Sequence, residues 1–156
     1  MILAIDPGPE RSGWVLCSDM IIVASGVDCN DAVLLYMQRF SPTDGTTLAV
    51  EMIASYGMAV GQEVFDTCVW VGRFKQEWHT PAAVRLVYRK DVKLHLCGDT
   101  RAKDGNIRQA LIDLYPRTGG GKVPQIGVKA KPGPLFGVTT HAWAALGVAV
   151  TAMARL

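Results

Sequence analysis

Three observations predict a mixed α/β domain with a central five-stranded sheet flanked by helices. The first 24 residues hold three short apolar runs separated by turn residues, the pattern of an antiparallel meander. Helically spaced segments then alternate with two further strand-like runs. An alanine-rich apolar stretch of helical length follows near the end. At 156 residues the chain fits one domain, with interior enough for one core.

Residues 2–5, Ile-Leu-Ala-Ile, make the first apolar run, which ends at Asp6 and gives way to the turn residues Pro7, Gly8 and Pro9. Runs at 13–17 and 20–24, separated by Ser18 and Asp19, read as the second and third strands. Residues 31–40 have helical spacing, with Asn30 or Asp31 as the cap. A loop at 41–45 leads to a fourth strand at 46–50, which ends at Glu51. After a glycine-containing stretch at 54–61, a helix is expected from about 62 to 78. Its Trp70, Phe74 and Trp78 recur at helical spacing and suit a core or a dimer interface. Residues 84–88 make a fifth short strand, or the middle of a strand-to-helix transition, and basic helical segments follow at 90–96 and 101–115. Gly, Pro and Lys dominate 117–136, which predicts a flexible loop. Thr139 or Thr140 is expected to cap a helix over 141–155.

Composition removes several classes of protein. With 49% hydrophobic and 19% charged residues, this is neither a disordered tail nor a disulfide-dense miniature. Cys17, Cys29, Cys68 and Cys97 lack metal-ligand spacing and read as reduced, mostly buried thiols. No apolar run approaches the ~20 residues of a membrane span. The start of the chain has neither a basic leader nor a cleavage site, so a cytoplasmic protein is expected. The net charge of +2 conceals a division. Residues 1–72 carry two basic and nine acidic residues, whereas residues 73–156 carry fourteen basic and five acidic ones. Such asymmetry fits two ordinary solvated faces, or one part that meets a polyanion while another holds catalytic carboxylates.

Asp6 and Glu51 each end an apolar strand. Either acid alone could simply face water. If the first and fourth strands are neighbours, the two carboxylates meet at one sheet edge and form a hard oxygen site for Mg²⁺ or Mn²⁺. Two such ions can activate water and stabilise the leaving oxygen in phosphodiester hydrolysis. The small-residue turn after Asp6 lets a backbone or a phosphate approach closely. An Asp-x-Gly turn also occurs in actin-like ATPases, although this chain is too short for their two-lobed cleft.

The segments Ile2-Leu-Ala-Ile-Asp6-Pro-Gly8, Glu51, Val71-Gly-Arg73 and His141-Ala-Trp-Ala-Ala-Leu-Gly-Val-Ala149 together resemble the RuvC-type Holliday junction resolvases, especially the small forms of phages and prophages. The resemblance covers most of the chain in the same order. It implies a ribonuclease H-like fold and Mg²⁺-dependent cleavage of branched DNA that leaves 5′-phosphate and 3′-hydroxyl ends. It also implies a homodimer in a bacterial cell, with Asp6 and Glu51 as metal ligands. The last helix departs from the pattern. Where RuvC proteins place two acids, or a His and an Asp, one turn apart, this chain has Val138 and His141. His141 is expected to bind metal or activate water. Asp104, where RuvC proteins carry a basic residue, is a candidate for the missing carboxylate or a helix N-terminal acid that complements the dipole.

Candidate DNA contacts are Arg85, Arg89, Lys90, Lys93, Arg101, Lys103 and Arg108, with Lys122, Lys129 and Lys131 in the long loop. Lysines and arginines of this kind give sequence-independent phosphate affinity, or else form a solvated basic face. Tyr56 lies after Glu51, where the resemblance implies an aromatic wedge into the junction; buried packing is the alternative. Two further functions stay open: an RNA-processing nuclease of the same fold, and a non-catalytic junction-binding module.

Overall fold

The computed structural model describes residues 1–154. A meander of β1 (Ile2–Asp6), β2 (Arg11–Ser18) and β3 (Ile21–Cys29) leads through α1 (Asn30–Met37) into β4 (Thr47–Met52). Next come α2 (Gln62–Glu77), β5 (Arg85–Tyr88), α3 (Arg89–Cys97) and α4 (Asp104–Asp113). The two-stranded ribbon β6 (Gly127–Val128) and β7 (Lys131–Pro132) precedes α5 (Ala142–Met153). The sheet order is β3-β2-β1-β4-β5, with β1–β2 and β2–β3 antiparallel and β1–β4 and β4–β5 parallel. The expected five-stranded mixed sheet flanked by helices is therefore present.

Both faces of this sheet are covered, which is why its central strands are apolar throughout rather than alternating. Side chains alternate between faces along a strand. Ile2 and Ala4 of β1, Ala49 of β4, and Val15 and Cys17 of β2 join α3, α4 and α5 in one core. Leu3, Ile5, Leu48, Val50 and Leu16 join α1 and α2 in the other. Phe74 and Trp78 belong to that second core, which settles their role as packing residues.

Helix α5 lies across β1, β2 and β4, with Ala142, Ala145, Leu146, Val148, Ala149 and Ala152 buried. Small side chains allow this close seat. A Cβ on Gly147 would stand 3.0 Å from Val92 Cγ1, so glycine also admits α3. No helix among the described residues is long and apolar enough to cross a membrane.

Several expectations need correction. Asn30 does not cap α1: it is buried, and its side chain accepts from Ser12 Oγ at 2.6 Å and donates to the Gly8 carbonyl at 3.0 Å. At α5 no threonine hydroxyl caps the helix; the Thr139 and Thr140 carbonyls accept from the N–H groups of Ala142 and Trp143. That helix was expected to reach Arg155, which lies outside the described residues. Only Cys17 among the cysteines is buried, and burial pushes its thiol up to about 12.

The 117–136 stretch has more order than a flexible loop. Leu135 and Gln125 are buried, and the amide of Gly119 donates to the Pro124 carbonyl while that of Leu135 donates to the Gln125 carbonyl. Three glycines make the folding possible. A Cβ on Gly119, Gly127 or Gly133 would come within 2.5 Å of neighbouring backbone. The lack of apolar periodicity thus reflects glycine-mediated backbone packing rather than absence of structure.

Candidate active site

Register brings the acids together. In the parallel β1–β4 ladder Ile5 pairs with Val50, so Asp6 and Glu51 follow as neighbours at the C-terminal ends of adjacent strands. Alternation puts Asp6 on the side of Ile2 and Ala4, and Glu51 on the side of Ala49, so both carboxylates project toward the α5 face.

The start of α5 completes the arrangement. Asp6 pairs with Gly13 across the β1–β2 ladder. A Cβ on Gly13 would lie 2.3 Å from both the carbonyl carbon and the oxygen of His141. Only glycine admits the backbone of His141 there. His141 Nδ1 consequently stands 3.4 Å from Asp6 Oδ2, with the imidazole largely exposed. On the other side, the Gly8–Ser12–Asn30 hydrogen bonds hold the turn that follows Asp6.

Electrostatics at this edge are strained. Glu51 is only 9% exposed, and its Oε2 is buried without a hydrogen-bond donor. Burial, reinforced by the neighbouring Asp6 charge, pushes the Glu51 carboxyl up to about 8. Burial also raises the Asp6 carboxyl, against the opposing effect of Glu51 hydrogen bonding and of His141 and Arg89. Two desolvated carboxylates this close favour sharing a proton or a cation. An orphaned buried oxygen beside a second carboxylate fits a hard divalent cation. Among the described residues, however, no cluster of three or more His, Cys, Asp or Glu side chains gathers at metal-binding range.

A cavity of about 890 Å³ opens over the pair. Its walls include Asp6, Glu51, Arg89, Asp104, Arg108, His141 and Trp143, and the Arg108 guanidinium stacks 4.7 Å from the Trp143 ring. A second cavity of about 720 Å³ flanks the same acids and includes Glu10, Arg11 and Glu63.

Other predicted residues lie at varying distances from this edge. Tyr56 is exposed with φ +47°, so buried packing is excluded, and it shares a small pocket with Arg89, Lys90, Lys93 and Thr100. Arg101, Lys103, Lys122, Lys129 and Lys131 are exposed, and none lines either acid-centred cavity. Arg85 Nη1 donates to the Ala152 carbonyl at 3.1 Å, at the end of α5 opposite His141. It starts β5, whereas the acids lie at strand ends, so it stands away from the acid edge. Asp104 forms an ion pair with Arg89 and has a highly exposed side chain. Sequence reasoning placed Arg89 only among general DNA contacts, whereas here it stands 3.6 Å from Glu51. Its position just beyond the fifth strand was the available signal, because the parallel β4–β5 pairing puts Tyr88 beside Met52.

No family model matches the chain, and no curated protein matches it. Solved structures similar to it include Thermus thermophilus RuvC in complex with a Holliday junction substrate, at 18% identity and TM-score 0.59, covering 96% of this chain and 90% of that one. Another T. thermophilus RuvC structure matches at 19% identity and TM-score 0.58, covering 99% and 95%. The fold is ribonuclease H-like, as in RuvC. Coverage of this extent means that the likeness in fold spans the sheet and both helical layers.

Proposed function

We propose that this chain is a metal-dependent, structure-selective endodeoxyribonuclease, which hydrolyses phosphodiester bonds in four-way junctions or other branched DNA. The observation that carries the reading is the pair of a half-buried Asp6 and a buried Glu51, side by side under an open cavity, with Glu51 Oε2 lacking a donor. Asp6 and Glu51 would hold Mg²⁺ or Mn²⁺, with His141 as the donor at the rim. Such an ion, when bound, supplies a nucleophilic water at neutral pH and stabilises charge on the leaving oxygen. His141 faces Asp6 through Nδ1. A carboxylate that holds one ring nitrogen orients the imidazole and leaves its other nitrogen free to act as a general base.

The substrate follows from the surroundings. Tyr56, Lys90 and Lys93 join an exposed aromatic ring to cations beside the acid edge, a combination suited to a phosphate backbone with a splayed base. One of the similar structures holds a Holliday junction, and we take a junction as the substrate here. A four-way junction asks for two sites acting on opposing strands, hence a homodimer. Phe65 and Val69 on the outer side of α2 are apolar and exposed, the surface a second copy would cover. The setting would be recombination, repair or phage DNA processing in a bacterial cytoplasm.

Cleavage of a panel of a four-way junction, linear duplex, RNA–DNA hybrid and structured RNA in Mg²⁺ or Mn²⁺ tests the proposal. Preferential junction cleavage is expected. Preferential RNA cleavage would transfer the site to RNA processing. The sparse donor set favours a second reading, a non-catalytic junction-binding module. Tight junction binding with no turnover in either metal would establish it.

A further inference from the structure

Arg89 connects two regions that are otherwise separate. It lines the cavity over Asp6 and Glu51, and it also lines the basic pocket with Tyr56, Lys90 and Lys93. A phosphate backbone that passes from the pocket to the acids must cross this guanidinium. Its Nη2 donates to Asp104 Oδ1, while Nη1 stands 3.6 Å from Glu51 Oε2, outside hydrogen-bond range. Guanidinium carries five donors in a planar fork that matches two phosphate oxygens. Asp104 in turn lies at the start of α4 with a highly exposed side chain, and its carboxylate goes to Arg89 rather than to Asp6 or Glu51.

We propose that Arg89 is a catalytic residue that binds the non-bridging oxygens of the scissile phosphate, and that Asp104 is a positioning residue that holds it there. The inference rests on the nuclease reading and deepens it. It assigns Asp104 to orientation of Arg89 instead of to metal ligation. A phosphate that gains charge during hydrolysis is stabilised by a preorganised cation, and Arg89, held between Glu51 and Asp104 in the cavity wall, supplies one.

The test compares wild type with Arg89→Met, Arg89→Lys, Asp104→Asn and the Arg89→Met/Asp104→Asn double variant on a synthetic four-way junction. Loss of one such cation lowers kcat by about 100-fold, with junction affinity changed less than about threefold because Lys90, Lys93 and Tyr56 remain. Arg89→Lys should recover part of the rate. Asp104→Asn should lower kcat by about tenfold and add nothing in the double variant, since a positioning residue acts only through its partner. Sulfur in place of a non-bridging oxygen of the scissile phosphate should slow wild type more than Arg89→Met. Mn²⁺ affinity by calorimetry should be unchanged in Asp104→Asn. Thermal melts confirm that each variant folds.

Several results overturn the assignment. Cleavage by Arg89→Met within twofold of wild type removes the catalytic role, and additive losses in the double variant remove the positioning role. Mn²⁺ affinity reduced tenfold or more by Asp104→Asn makes Asp104 a metal ligand. If wild type cleaves and Asp6→Asn does not, such results refute only the Arg89 assignment. If wild type cleaves no junction in either metal, the nuclease reading fails and takes this inference with it.

Discussion

Glu51 is a carboxyl group buried beside another carboxyl group, and its protonation therefore couples folding to pH. Its folded pKa is raised to about 8 from 4.5, so between those values the folded chain holds a proton that the unfolded chain has released. Without metal, stability falls as pH rises through that window, and the raised Asp6 carboxyl adds in the same direction. Thermal melts in chelator from pH 5 to pH 8 should show a declining Tm for wild type and a flatter one for Glu51→Gln. Equal slopes would contradict the burial argument. Saturating Mn²⁺ should offset the decline, because the cation replaces the proton between the carboxylates.

Gly13 is the residue whose role was least visible beforehand. It opens the second apolar run of the sequence, and its missing side chain is what admits His141 to Asp6. Gly13→Ala should displace the start of α5, with junction cleavage reduced by about 100-fold through misplacement alone. As a control, a Cβ on Gly72 in α2 meets nothing. Gly72→Ala should raise stability by about 0.4–1 kcal/mol. Both are checked by melts alongside cleavage assays. Asp6 and Glu51 were legible because strand-end acids follow apolar runs. Gly13 was not, because its constraint comes from a helix more than a hundred positions away in sequence.

Helices and strands were largely legible, and the exceptions share one cause. The five sheet strands and the main helices follow apolar patterns that burial on both faces imposes. The 117–136 stretch has no such pattern, because its order comes from close backbone approach at Gly119, Gly127 and Gly133. Leu135 anchors it and is fully buried in the α5-side core. Leu135→Ala should therefore destabilise by about 2–5 kcal/mol, as for other buried leucines. A truly flexible loop would register under ~0.5 kcal/mol in the same denaturant titration. Arg85 is a related case: its place in a basic run gives no sign of the hydrogen bond that it makes at the end of α5.

Across the whole molecule, the sequence is acidic in its first half and basic in its second, and folding joins the halves at one edge. β1 and β4 supply Asp6 and Glu51, while the β5–α3 junction and the start of α5 supply Arg89 and His141. The acidic partners thus meet the basic ones within a single cavity instead of on opposite faces. Tyr56, exposed beside Lys90 and Lys93, extends that edge outward. Tyr56→Ala should weaken junction binding by about 1–3 kcal/mol, with less effect on linear duplex, as measured by fluorescence anisotropy at fixed salt. Equal losses on the two substrates would make Tyr56 a general contact.

The central claim is that Asp6 and Glu51 form the metal-holding centre of a junction-cleaving nuclease. It is tested most directly by following a labelled four-way junction with wild type, Asp6→Asn and Glu51→Gln in Mg²⁺ and in Mn²⁺. The expected result is metal-dependent cleavage by wild type and a loss of at least about 1,000-fold in both variants, with all three proteins still folded and bound to the junction. Wild-type protein that binds the junction without cutting it, or variants that cut at the wild-type rate, would contradict the claim.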